Sequence, residues 1–163
     1  MRSINEIIIH CTATPEGREV TVAEIDSWHR QRGFDGCGYH YIIHLDGTVE
    51  DGRPLALVGA HCKDHNKHSI GIAYVGGLDR NGNPKDTRTD AQRKTLRLIV
   101  SHFLDYFPGA TVHGHREFAP KACPCFDVQR EFANAHAGDR QTDIFQYLND
   151  ICTDVARNVS TNT

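Results

Sequence analysis

Histidine and cysteine dominate the chemistry open to this sequence. Its 163 residues include 11 His and 6 Cys, and both residue types ligate zinc. His10 stands where an apolar run, NEIIIHC over residues 5–11, comes to its end. His113 and His115 close a second extended segment and, two residues apart, face the same side of a strand. Cys123 and Cys125 follow in a loop braced by Pro120 and Pro124. His10, one histidine of that pair and one of the two cysteines make a three-donor zinc site drawn from separate segments. Two neutral imidazoles and one thiolate leave the ion with a net charge of about +1 and one open tetrahedral place. An open place admits water, which zinc ionises near neutral pH, and the chemistry that follows is hydrolysis. Spacing alone does not choose within either pair. A single histidine at a strand end is also more often a hydrogen-bonded surface residue than a ligand.

Other hydrolytic arrangements have less support. There is no HExxH and no GxSxG, and Ser69 and Ser101 lie in no strand-to-helix elbow. A Cys/His nucleophilic pair stays open, since it needs only one cysteine and a distant histidine. No CxxC occurs, so a zinc ribbon or finger is poorly supported. The remaining cysteines read as buried thiols rather than disulfides.

The elements that must position these residues are legible in outline. Asn5–Cys11 reads as a strand covered on both faces, and Thr12–Arg18 as a loop. Thr21 with Glu24 forms a capping box, and Val22, Ile25 and Trp28 repeat at helical spacing up to Gly33. Trp28 is assigned to the core. Tyr39–Leu45 followed by Asp46-Gly47 predicts a hairpin. His40 and His44, on that strand, read as structural or solvent-facing. Ile70–Val75 is another buried strand, and residues 79–88 are a polar loop. Thr89 and Gln92 cap a second helix, whose stripe of Leu96, Ile99, Val100, Phe103 and Phe107 stops at Pro108-Gly109. Ala110–His115 is the last strand. Short helices are expected from about Asp127 and about Asp143. The pattern predicts an α/β (mixed α+β) fold, a central mixed β-sheet flanked by helices, in one domain over residues 1–156 with a polar tail over 157–163.

Composition limits the partners. The chain is 39% hydrophobic and 24% charged with a net charge of −3, which excludes a disordered chain and argues against nucleic-acid binding. No apolar run reaches the roughly 18 residues of a membrane span. The first residues, MRSINEIIIHCT, read as a strand rather than a signal peptide. The expectation is a monomer, cytoplasmic as synthesised.

Four stretches in order carry a family likeness: IIIHCTAT, GYHYIIHLDGTVEDGR, VGAHCKDHNKHSIGIAYVGG and HGHREFAPKACPCFD. Over roughly residues 4–135 the chain resembles the zinc-dependent N-acetylmuramoyl-L-alanine amidases of the type 2 family. Within it the likeness is closest to the phage amidase-type lysozymes, with the peptidoglycan recognition proteins more distant. The resemblance implies one Zn2+ per chain held by His10, His115 and Cys123, with Tyr39 and Lys121 as catalytic residues. It implies substrate-binding positions at His61 and Asn66, and leaves His113 as a groove or supporting residue. Cys125 has no counterpart role and reads as a packed thiol.

The implied substrate is bacterial peptidoglycan, and the implied reaction is cleavage of the amide between N-acetylmuramic acid and L-alanine, as in an endolysin released to the wall through a pore or by lysis. The resemblance assigns no general base, and no glutamate stands at the Tyr39 position. Two alternatives accompany it: a peptidoglycan-binding module that does not cut, and a lysozyme that also regulates a polymerase. The non-cutting members typically lack the cysteine ligand, and Cys123 is present here.

Overall fold

The computed structural model describes residues 2–133; the expected helix near Asp143 and the tail over 157–163 lie outside them. Among these residues ten helices and strands appear in the order β1 (Glu6–Cys11), β2 (Thr14–Pro15), α1 (Val22–Gln31), β3 (Tyr41–Ile43), β4 (Val49–Asp51), β5 (Ser69–Tyr74), β6 (Gly77–Leu78), α2 (Asp90–Tyr106), β7 (Thr111–Gly114) and α3 (Val128–Phe132), with 3-10 turns at Asn66–His68 and His115–Glu117.

The main sheet has the order β4-β3-β5-β1-β7. β1 lies between β5 and β7 and is parallel to both, β3 is parallel to β5, and β4 returns antiparallel to β3. The sheet is mixed, as the sequence predicts. Four parallel strands send their C-terminal ends to one edge, the place where open α/β sheets bind ligands.

Alternation along β1 divides the two faces. Ile7, Ile9 and Cys11 join the larger core with Ile70, Ile72, Tyr74 and the α2 residues Leu96, Ile99, Val100 and Phe103. Ile8 and His10 point to the opposite face. There Gly71 and Ala73 are their β5 partners, and such small side chains leave room for a groove. On the same side Val20, Ile25, Cys37, Ile42 and Val75 form a second cluster, with Trp28 packed against it.

Polar side chains lock the helices to the strands. Both capping boxes form, at Thr21/Glu24 and Thr89/Gln92. The buried Gln92 amide also donates to the Ile43 carbonyl at 3.2 Å and the Val75 carbonyl at 2.9 Å, tying α2 to the ends of β3 and β5. Thr95 donates to the Gly47 carbonyl at 2.7 Å, which fixes the hairpin turn where Gly47 adopts φ +86°.

Three boundaries differ from the sequence reading. The Tyr39–Leu45 strand is ordered as a strand only over Tyr41–Ile43. The Thr12–Arg18 loop contains β2, which pairs in parallel with β6 as Thr14↔Gly77 and Pro15↔Leu78. Two-residue strands carry no periodicity, so nothing local announced them. The last strand stops at Gly114, and His115 opens a 3-10 turn. His113 and His115 therefore do not share a strand face.

Candidate active site and metal centre

Three elements bring the donors together. His10 comes from the C-terminal end of β1, His115 from the turn that follows β7, and Cys123 from the loop before α3. One ligand atom from each lies within 4.8 Å of the others. The His10 and His115 ring centroids are 4.6 Å apart, and His10 Nδ1 is 3.8 Å from Cys123 Sγ. Zinc bonds of about 2.0–2.3 Å arranged tetrahedrally place donors roughly 3.3–3.8 Å apart. The His10–Cys123 distance falls at the upper end of that range, and the spread of the trio stays within 4.8 Å.

The electrostatics suit a cation. Burial holds His10 well below the ordinary histidine range, with the neighbouring His61, His115 and Lys121 adding to the effect. Burial, then the Lys121 charge, lowers His115. Both rings are thus neutral with lone pairs to give. Cys123 is lowered foremost by its side-chain hydrogen bond with Cys11, although burial opposes this. The Cys11 backbone N–H also donates to Cys123 Sγ at 3.3 Å, which favours the thiolate.

The ligand loop is anchored from below. Tyr74 donates to the Pro124 carbonyl at 2.6 Å. Cys125 donates its thiol hydrogen to the Gly77 carbonyl at 3.2 Å and lies 3.9 Å from Cys11 Sγ, which is the packed thiol expected of it. The buried Arg88 guanidinium stacks 3.3 Å over the Phe126 ring and reaches Glu131 on α3 at 2.7 Å.

His115 and Cys123 line a groove of about 700 Å³, with the buried His10 beside them. Tyr39 lines it, its ring 5.1 Å from that of His10. Burial pushes the Tyr39 phenol upward, so it keeps its proton at neutral pH. Lys121 is exposed on the rim, and its charge is felt by both His10 and His115. His61 and Asn66 also line the groove. His61 is 9% exposed, with Nδ1 2.9 Å from His10 Nε2. Asn66 Oδ1 accepts from the backbone N–H groups of His61 and Cys62, each at 2.9 Å.

His113 is outside this groove and lines a separate cleft. Its ring meets Thr111 Oγ1 at 2.8 Å and Glu117 at 3.0 Å. His40 is fully buried and His44 lies between Glu19 and Glu50, the structural roles expected of them.

Sequence reasoning missed the groove's other walls. His29, Arg32 and Phe34 come from the end of α1 and the loop after it, and Lys63 and Phe118 from loops. No spacing rule joins those segments. The charged residues lining the groove, Arg32, Lys63 and Lys121, are all cations.

Comparison with known proteins decides what this geometry serves. Residues 1–126 match the family described as Amidase_2, N-acetylmuramoyl-L-alanine amidase. The chain belongs to this amidase family. It is 44% identical over 128 residues to the endolysin of Escherichia phage T7, covering 78% of this chain and 85% of that protein. It is also 44% identical over 126 residues to the endolysin of Klebsiella phage KP32, covering 77% and 83%. Among solved structures it is similar to the N-acetylmuramoyl-L-alanine amidase LysC from Clostridium intestinale URNW, with a TM-score of 0.70, 28% identity, and 81% and 85% of the two chains covered. The amidase is thus an enzyme of peptidoglycan amide hydrolysis, with the mixed-sheet fold of its relatives. Among the described residues no helix is long and apolar enough to cross a membrane.

Proposed function

We propose that this amidase is zinc-dependent, with one Zn2+ held by His10, His115 and Cys123, and that it cuts the bond between the lactyl group of N-acetylmuramic acid and L-alanine. The carrying observation is the convergence of those three donors at the C-terminal edge of the parallel strands. Two neutral rings and a thiolate fit zinc in charge and donor type. In such a site zinc supplies Lewis acidity toward the amide carbonyl and activates water for attack.

The chain's own residues do the rest. The groove receives the glycan and stem peptide, and its Arg32, Lys63 and Lys121 suit the carboxylates that a stem peptide carries. The Lys121 ammonium stabilises negative charge as it develops on the carbonyl oxygen. Tyr39, protonated and beside His10, donates a hydrogen bond to the same reacting centre. Asn66 and His61 shape the wall that meets the substrate. The catalytic domain is proposed to act as a monomer on the wall polymer, without nucleic acid, after synthesis in the cytoplasm.

The test is incubation with purified peptidoglycan and mass analysis of the released material. Stem peptides with free L-alanine amino termini, produced only with zinc present, are the expected result. Release of shorter sugars, or cleavage within the stem, refutes the bond assignment.

A further inference from the structure

His10 is met from behind by a second histidine. Its Nδ1 faces Cys123 and its Nε2 lies 2.9 Å from His61 Nδ1. The other nitrogen of His61, Nε2, lies 3.2 Å from Ser69 Oγ. All three side chains are buried, with exposures of 1%, 9% and 0%. Two proton arrangements satisfy these contacts, and zinc on His10 Nδ1 selects one of them. A ligating Nδ1 must carry a lone pair, so His10 bears its hydrogen on Nε2 and donates it to His61 Nδ1. His61 then bears its hydrogen on Nε2 and donates it to the Ser69 hydroxyl.

The place of the His61 ring is prepared by the backbone around it. A Cβ at Gly71 would lie 2.6 Å from its Cγ and Cδ2, and one at Gly59 would lie 2.5 Å from its Cδ2. Two side-chain-free positions therefore hold the ring between them. Asn66 fixes the chain at the same residue by accepting both the His61 and Cys62 N–H groups. A ring clamped in this way presents its acceptor in one direction.

We propose that His61 is a positioning residue, holding His10 in the tautomer and orientation that direct Nδ1 to the metal, with Ser69 as the terminal acceptor of the chain. This rests on His10 being a zinc ligand. Partners of this kind are worth about 10–100-fold in metal affinity where they have been removed from other sites.

Three substitutions separate the acceptor from the packing. His61→Phe keeps a ring between the glycines and removes the acceptor. His61→Asn places an oxygen where histidine carries Nδ1, and His61→Gln places its polar atoms where histidine carries Nε2, toward Ser69. Zinc affinity is measured by competition with a chromophoric chelator at fixed pH, and thermal melts of the zinc-free proteins check folding. Long-range 1H–15N correlation spectra of the zinc-free proteins report which nitrogen of His10 carries the hydrogen.

H61F and H61Q are expected to bind zinc about 10–100-fold more weakly, whereas H61N stays within about threefold of the wild type. The wild-type His10 ring is expected as the Nε2–H tautomer, and H61F as a mixture. H61F binding as tightly as the wild type, or H61N losing as much as H61Q, overturns the role given to His61. If H61F fails to fold, the H61N and H61Q pair decides alone. A wild-type chain that binds no zinc refutes instead the metal reading itself, and the His10 tautomer in zinc-free protein still tests the contact with His61.

Discussion

The Tyr74 hydroxyl at the end of β5 donates to the carbonyl of Pro124 at 2.6 Å, one residue beyond the thiol of Cys123. This bond joins the central sheet to the loop that carries the third proposed ligand. Tyr74→Phe removes the donor and leaves a buried carbonyl unmatched. The expected loss is about 1–3 kcal/mol of stability, with weaker zinc binding because the loop is freed near Cys123. Urea unfolding and zinc competition on the same preparation measure both. Unchanged zinc affinity in a destabilised variant would show that the loop holds its shape without this bond.

The ligand assignment predicts a rank order. Cys123→Ser replaces a thiolate by a neutral hydroxyl and is expected to abolish hydrolysis. His115→Ala is expected to cost far more activity than His113→Ala, whose ring lies with Thr111 and Glu117 outside the groove. Removing zinc with a strong chelator should end activity while leaving the far-UV circular dichroism largely intact, since the isoleucine strands and α2 make a core of their own. Collapse of the helical signal would make the metal structural.

Lys121 tests the charge stabilisation. If its ammonium acts on the transition state, Lys121→Ala lowers kcat and kcat/KM together, by about 10²–10³-fold, with KM little changed. Zinc content should stay at that of the wild type. A raised KM at constant kcat would assign Lys121 to ground-state substrate binding.

Acid should weaken the fold through His40. Burial, with Arg2 and Arg53 nearby, holds this ring down to about 4 although the Leu57 carbonyl favours its charged form. Its Nδ1 accepts the Gly71 N–H at 3.0 Å, and a proton there would face that donor. An unfolded histidine titrates near 6.5, so between about 6.5 and 4 the unfolded chain binds the extra proton. The contribution of His40 is complete above pH 6.5 and declines as the pH falls toward 4, by at most about 3 kcal/mol. Urea midpoints between pH 7.5 and 4.5 should fall more steeply for the wild type than for His40→Asn. Parallel slopes would show that His40 does not carry the effect.

What the sequence made legible is what repeats along it or sits at a fixed offset. The isoleucine run of β1, the capping boxes at Thr21 and Thr89 and the Asp46-Gly47 turn are local signals, and each stands in the structure. Cys123 and His10 were candidates by type, and the structure brings them to 3.8 Å. The histidine choice was not legible by spacing. Glu117 accepts the Gly114 N–H at 2.5 Å, the strand ends there, and His115 leaves the face that His113 keeps. The link from His10 to His61 spans 51 residues. The walls contributed by Arg32, Phe34 and Phe118 depend equally on how loops meet in space.

The distance along the chain between the first and last donors has a consequence for synthesis. His10 and Cys123 are 113 residues apart, and β1, which carries the first, pairs with β5 and β7, both made much later. At about 5–20 residues per second a ribosome needs roughly 6–23 s to pass from one donor to the other. Throughout that interval the nascent polypeptide holds only part of the proposed metal site. If His10, His115 and Cys123 hold the metal as proposed, a product cut short before Cys123 lacks the third donor and is expected to be inert, so translation interrupted before that residue yields a harmless fragment.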